Sequence, residues 1–295
     1  MFLNKSLTIV FNCFYSRKHL FRVLKNLNKY PIIVVENSLD INLKKELEKK
    51  YKNVKVIIPK ENLGAAKGYN LAIKHAKTKY VFLNAPDIEI SNKTIDELIL
   101  CALKIKEFGA ISPTYNNEKI YKNYSDLNKK FYSNSKFLNL KKIIQVNWID
   151  NNFLINKNKI KKKLFDENYF LYFETMDFCL NQKRKEKKLF VFKKIKFKHY
   201  GAKSTDDKYK DIVHLTRAWH YNWSKFYYFK KNFSYMYALR KITPNFVQAI
   251  KKIIVNAAKF DKFNVLLSVI EIYGILSSIL CLKSFYRPSV KPKRN

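Results

Sequence analysis

Cysteine is scarce in this chain, and the four present, Cys13, Cys101, Cys179 and Cys281, are far apart in sequence. That spacing offers neither a zinc knuckle nor a disulfide framework, and it fits a reducing compartment. No charged stretch followed by a cleavable apolar one opens the sequence. MFLNKSLTIVFNCF runs straight into a strand-like segment, so no signal peptide is expected. No internal repeat is visible. Acidic residues are short as well: 23 Asp and Glu stand against 59 Lys and Arg, a formal net charge of +36. Such a surplus attracts polyanions, whether nucleic acid, anionic lipid headgroups or nucleoside diphosphates. It discriminates poorly here, because lysine shares A/T-rich codons with the abundant Asn, Ile, Phe and Tyr. No helix-turn-helix, ribonucleoprotein motif or zinc-finger spacing accompanies the charge, so nucleic acid is not an expected partner.

What is present is enough for a core. Hydrophobic residues make up 47% of the 295, aromatics 16%, which argues against intrinsic disorder and allows one large domain or a domain with an appendage. Strand-like runs fall at Leu7–Phe14, Pro31–Glu36, Val54–Ile58 and Tyr80–Asn84. Helical patterns lie between them: Arg17–Leu27 with Ser16 as cap, a stretch from Ile41 capped by Asp40, and a helix opened by Gly64 and Gly68. The run PIIVVE is continuously apolar before its Glu, the pattern of a strand buried on both faces. Alternation of this kind predicts a parallel sheet with right-handed crossovers, an α/β architecture. Beyond it come a helix from Asn92, a strand over Gly109–Pro113 and a polar stretch, Tyr115–Leu140, that reads as an exposed loop. Val146–Ile155 is apolar again, Tyr169–Lys188 contains a helix, and Phe190–Phe197 is a strand. The expected division is 1–206 for the α/β domain and 207–295 for a helical, aromatic and basic C-terminal region.

Ligands on such sheets bind beyond the carboxyl ends of the strands. Glu36, Asn62 and Asp87 fall at or just past strand ends, which is the first functional signal. Four segments in order then carry a family resemblance: IIVVENS (32–38), ENLGAAKGYNLAI (61–73), FLNAPDIEI (82–90), and FDENYFLYFETMDFCL (165–180) followed by KHYGAKS (198–204). Together they resemble the inverting family 2 glycosyltransferases of GT-A fold, in the branch containing rhamnosyltransferase-like enzymes. The resemblance covers roughly Leu7 to Ser204.

The resemblance implies transfer of a sugar from a nucleoside diphosphate sugar, UDP- or dTDP-linked, to a glycan or lipid-linked acceptor. Glu36 takes the place of the family's acidic contact to the nucleotide base. Asn62, Gly64, Gly68 and Asn70 match its Asn-x-Gly-x-x-x-Gly-x-Asn signature, where glycine lets backbone approach a ligand or a neighbouring element closely. Asp87 takes the place of the metal-binding carboxylate, with His199 as a second ligand for Mg2+ or Mn2+. Such an ion would neutralise the departing diphosphate, and Lys198 and Lys203 add positive charge. The sequence departs from the family in three places. Ala85 replaces the first carboxylate of the usual Asp-x-Asp pattern, and Thr175 replaces the inner Asp that commonly acts as base. Asn181 replaces an Arg on the acceptor side. Acceptor deprotonation then passes to Asp177, supported by Glu174, or the reaction is impaired and the chain is a sugar-nucleotide-binding protein without catalysis. Trp148 and Asp150 are further acceptor-side candidates.

The most apolar stretch, Phe263–Leu282, is interrupted by Glu271 and falls short of the roughly 20 clean apolar residues that span a bilayer. A basic fringe surrounds it: Lys262, Lys283, Arg287, Lys291, Lys293 and Arg294. With the aromatic and basic run Trp219–Lys231, this predicts a helix pair lying on an anionic membrane surface. A helix packed on the catalytic domain, or a dimer contact, is the competing reading. The expected location is cytoplasmic, peripheral at the inner face of the membrane.

Overall fold

A computed structural model of the chain describes residues 6–105, 107–116, 122–131, 143–160, 162–201 and 204–288. Lys203, Lys291, Lys293 and Arg294 lie outside the described residues. The chain divides into two compact units. The first comprises 1–63, 67–166 and 175–206, the second 64–66, 167–174 and 207–295.

The first unit is built on one sheet. In chain order its elements are β1 (Leu7–Cys13), α1 (Arg17–Leu24), β2 (Ile32–Glu36), α2 (Ile41–Lys50), β3 (Val54–Ile57), α3 (Gly64–His75) and β4 (Tyr80–Asn84). There follow β5 (Ile88–Glu89), α4 (Asn92–Lys104), β6 (Ala110–Tyr115), β7 (Tyr124–Phe131), β8 (Ile143–Ile149), β9 (Leu154–Asn156), α5 (Glu174–Arg184) and β10 (Leu189–His199). The first residues of α3 and the first of α5 fall in the second unit. The strand order is β3-β2-β1-β4-β9-β6-β10-β8-β7, with β5 paired to β10. β3, β2, β1 and β4 run parallel, as do β6 and β10. β9 enters antiparallel between β4 and β6. This is the expected α/β architecture. Its cause is visible in the sequence: β1, β2 and β4 are apolar runs with both faces covered, and every residue of β2 and β4 is buried.

Helix starts are set by short polar side chains. Asp40 caps α2 by accepting from Leu43 N at 2.9 Å, and Ser91 caps α4 by accepting from Thr94 N. Ser16 does not cap α1 as predicted. Its hydroxyl donates instead to the Ser204 carbonyl at 2.5 Å, tying the β1 end to the chain beyond β10. The other correction is the polar stretch 115–140, part of which forms β7. This strand is last in the sheet order and pairs with β8. Edge strands tolerate Lys and Asn, because charge there deters pairing with another chain.

The second unit is helical: α6 (Lys210–Asn232), α7 (Tyr235–Ala258) and α8 (Lys262–Ile279) pack on one another. Buried Gly274 on α8 explains how closely two of them approach. A Cβ there would stand 2.4 Å from the Trp219 carbonyl oxygen on α6. Asp261 caps α8 through Asn264 N. The segment after α8 folds back on α6: Trp223 Nε1 donates to Leu282 O at 3.0 Å, and Ser284 donates to Asn168 O at 2.9 Å.

Candidate active site

Asp87 sits just past the carboxyl end of β4, in a turn that Ile88 N closes on Ala85 O at 3.1 Å. The following two residues, β5, pair with the end of β10, so that Ile88 stands opposite His199 and Glu89 opposite Lys198. Tyr200 N donates to Asp87 O at 3.0 Å, and the Tyr200 hydroxyl donates to Glu89. That pairing brings two residues 112 apart in sequence into contact: His199 Nε2 lies 3.4 Å from Asp87 Oδ2. Both side chains are largely buried.

Around this pair stand residues from β6, the turn after β8, and α1. Tyr115, at the end of β6, stacks flat on the His199 ring with centroids 4.6 Å apart. Its hydroxyl lies 3.4 Å from Asp150 Oδ2, just past β8, while Asp150 Oδ1 accepts from Asn151 N at 2.8 Å. Burial raises the Asp150 carboxyl above its ordinary range, against the Asn151 N–H and the His199 charge, which favour its ionised form. Burial likewise raises the Tyr115 phenol, reinforced by Asp150 and Asp87, so Tyr115 stays a neutral donor. On α1, burial holds His19 below its ordinary value, with nearby Arg22 adding to the effect and Asp206 and Asp87 opposing it. The Arg22 guanidinium lies 3.7 Å above the Tyr200 ring. Sequence reasoning missed Tyr115, His19 and Arg22, because only the sheet order brings them near Asp87.

A divalent ion bound at about 2.0–2.2 Å needs ligand atoms roughly 3 Å apart, and the Asp87–His199 pair meets that spacing. Among the described residues no group of three or more His, Cys, Asp or Glu side chains could hold an ion. The protein would thus offer two ligands and leave the other positions to diphosphate oxygens and water.

Of the expected donor-side residues, Glu36, Gly64, Gly68 and Asn70 also make contacts that hold the scaffold. Glu36 is 0% exposed. Its two oxygens accept from Ser38 N at 3.0 Å and Asp40 N at 2.8 Å, closing the loop that starts α2. Burial raises its pKa and those N–H groups oppose the shift. Asn70 clamps the 164–165 backbone. Its amide nitrogen donates to Phe165 O at 2.9 Å, and its oxygen accepts from Leu164 N and Phe165 N at 3.1 Å each. Gly68 lets α3 lie close against β1, since a Cβ would stand 1.9 Å from the end of the Asn12 side chain, at Oδ1. Gly64, in the second unit, has φ +68°, and a Cβ would meet the Phe170 carbonyl oxygen at 2.3 Å. Asn62 lies half-buried in the loop before α3. There Asn37, also unforeseen, accepts from Leu63 N and donates to Asn12.

On the acceptor side, Asp177 is 1% exposed and Glu174 3%. Asn181, in the place of the family's Arg, donates to Asp177 Oδ2 at 3.1 Å. Thr175 donates to Asn151 Oδ1, next to Asp150. Trp148 on β8 is half-buried, and its indole N–H meets no partner among the described residues. Asp150 as a whole residue is less enclosed than Asp177, but its carboxyl is buried.

Comparison with known proteins bears on the fold and the family. The mannosyltransferase PcManGT from Pyrobaculum calidifontis, solved in complex with GDP-Man and Mn2+, has a similar fold. The TM-score is 0.53 at 11% identity, over 92% of this chain and 86% of that one. GalNAc-T7, solved with UDP, GalNAc and Mn2+, gives a TM-score of 0.56 at 13% identity, over 77% of this chain and 51% of that one. Likeness at such identity speaks to the fold alone. No curated protein matches the sequence. The family model "Glycosyl transferase family 2" matches residues 10–163, just over half of the chain and all of β1 through β9 except the first three residues of β1. The chain belongs to glycosyl transferase family 2.

Proposed function

We propose that the chain transfers a hexosyl or deoxyhexosyl group from a nucleoside diphosphate sugar to a glycan or lipid-linked acceptor, with inversion, at the cytoplasmic face of a membrane. The observation that carries the reading is the Asp87–His199 pair, 3.4 Å apart beyond the carboxyl end of the parallel strands. Both similar structures hold a nucleotide or nucleotide sugar together with Mn2+, which supports a divalent ion here. Asp87 and His199 would hold it, and when bound it supplies positive charge to the leaving diphosphate.

In an inverting displacement the acceptor hydroxyl attacks the anomeric carbon as the bond to the diphosphate oxygen breaks. Its proton must go to a nearby base. The resemblance points to Asp177 with Glu174 in support. We assign the proton to Asp150 instead, because a base must lie close to the reacting sugar and hold the proton it takes. Asp177 is held by Asn181, while Asp150 lies one tyrosine away from the Asp87–His199 pair, and the burial that raises its carboxyl favours uptake of a proton. Trp148, just before the same turn, would offer the acceptor an aromatic face. The competing reading, sugar-nucleotide binding without catalysis, draws on Thr175 at the family's base position.

Calorimetry with UDP, dTDP and GDP, with and without Mn2+ or Mg2+, tests the assignment. Binding strengthened by the ion, with that dependence lost in Asp87→Ala, is the expected result. No binding of any of the three under any condition sinks the reading.

A further inference from the structure

In the second unit, α7 and α8 each turn apolar side chains outward. On α8, Leu266, Val269, Tyr273, Leu276 and, just past its end, Leu280 recur every three or four residues, and all are exposed. The opposite face is buried and made of Ser268, Gly274, Ile275, Ser277 and Ser278. This inverts the usual surface helix, whose apolar stripe faces the core. On α7, Val247, Ile250 and Ile254 repeat the pattern. At the turn joining the two helices, Phe260 is 89% exposed. Scattered apolar side chains on a surface are ordinary, but a continuous stripe of this extent is not.

Charge identifies what covers it. Between Tyr235 and Pro288 there are eight basic residues and two acidic ones, Asp261 and Glu271. Both acids are already engaged within the unit, Asp261 as the cap of α8 and Glu271 in a pair with Lys252 at 3.0 Å. Lys251, Lys259 and Lys262 are exposed around the turn that carries Phe260. A second copy seated on the same face would bring like charges together. An anionic lipid leaflet matches both features, acyl chains for the stripe and headgroups for the lysines.

We infer that the α7–α8 face docks into the headgroup and acyl boundary of an anionic bilayer, lying in its plane with Phe260 at the leading turn. This deepens the membrane-surface reading above and rests on it. α8 has the length and composition to cross a membrane, but its 18 residues span only about 27 Å against a hydrocarbon core of about 30 Å. Its serine and glycine face is also occupied by packing within the unit. Crossing would strip that packing away, whereas lying flat keeps it.

The test uses the full chain with vesicles of phosphatidylcholine alone and of phosphatidylcholine with phosphatidylglycerol. Three proteins are compared: wild type, the triple variant Ile254→Ser, Phe260→Ser, Leu266→Ser, and the triple variant Lys251→Glu, Lys259→Glu, Lys262→Glu. All the substituted positions are exposed, and circular dichroism checks that the helices persist. Wild type should sediment with the anionic vesicles, and each triple variant should lose at least about tenfold in partitioning. Wild type that binds no vesicle ends the membrane reading and this inference with it. Binding that the serine variant leaves unchanged ends the inference alone, since attachment is then electrostatic only. Resistance of wild type to alkaline carbonate extraction, or a dimer abolished by the serine substitutions, likewise overturns it.

Discussion

Among the described residues, the exposed large apolar side chains of the first unit are Leu39, Ile41, Leu100 and Met176; in the second there are sixteen, from Tyr221 to Phe285. The first unit is the larger, so size does not explain the contrast. A sheet with helices on its faces gives each apolar residue a layer to enter, and β1, β2, β4 and β6 use both of their faces. Three helices alone cannot cover one another all round, and α8 turns its small residues inward. The two units therefore handle the same amino acids under different constraints. One builds a closed scaffold that carries carboxylates and a histidine to strand ends. The other is a helical packing with apolar surface left over.

The largest effect that would break this division of labour belongs to the base. If chemistry resides in the first unit and runs through Asp150, then Asp150→Asn should lower the rate by about 10²–10⁴-fold. Nucleotide affinity should be preserved. Asp177→Asn should do less, mainly loosening its bond to Asn181. The rate is read as release of nucleoside diphosphate from the donor that calorimetry identifies. A large loss in Asp177→Asn with none in Asp150→Asn returns the base to α5. A strong rise in activity in Thr175→Asp would describe the natural chain as a weakened catalyst.

How far the sequence reached differs between the units as well. The strands of the parallel half were legible because burial on both faces writes itself as Ile-Ile-Val-Val or Val-Phe-Leu, and Asp40 was legible as a cap. β7 was not, because an edge strand with Lys, Asn and Ser looks like a loop when its partner is unknown. Asp87 and His199 were legible through motif order. Tyr115, which links their pair to Asp150, was not, since its position depends on β6 and β10 running side by side. Asn70 shows the opposite hazard. It occupies a signature position, yet in this conformation its amide serves the Leu164–Phe165 backbone. In the second unit the sequence announced apolar and basic helices but not which face of α8 turns outward, because serine and glycine on a packed face carry little hydropathy signal.

A smaller effect contrasts two glycines, one from each unit. Gly274→Ala places a Cβ 2.4 Å from a backbone oxygen that moves only if α6 moves. A cost of about 1–3 kcal/mol is expected. Gly68→Ala meets the end of the Asn12 side chain, which can turn away at the cost of its bond from Asn37. That loss of about 1 kcal/mol is offset by roughly the same gain in helix propensity. Chemical denaturation of both variants should show Gly274→Ala clearly less stable and Gly68→Ala near wild type. Equal losses would mean that α3 packs on β1 as rigidly as α8 packs on α6.

The last contrast, seen only as pH falls, concerns two buried histidines. His19, in the first unit, is lowered by burial but has Asp206 3.7 Å away to favour its charged form. His220, in the second, is pushed down to about 3, chiefly by burial. Its Nε2 donates to the Tyr286 carbonyl at 2.8 Å, which partly opposes the shift, while neighbouring Arg287 adds to it. Folded His220 is therefore neutral at any ordinary pH, whereas the unfolded chain takes up its proton near the ordinary imidazole value of about 6.5. As pH falls below that value the unfolded state binds the extra proton, and stability drains at up to about 1.4 kcal/mol per pH unit until the folded group titrates. Above it the contribution is fully present. His220→Gln keeps a donor for Tyr286 without a titrating group, so its Tm should fall less than that of wild type between about pH 7 and about pH 5. His19→Gln should retain most of the wild-type slope, because Asp206 already narrows the gap between the folded and unfolded values. Parallel Tm profiles for wild type and His220→Gln would show that His220 takes up its proton in the folded chain, and the acid sensitivity would then have to be sought in the first unit.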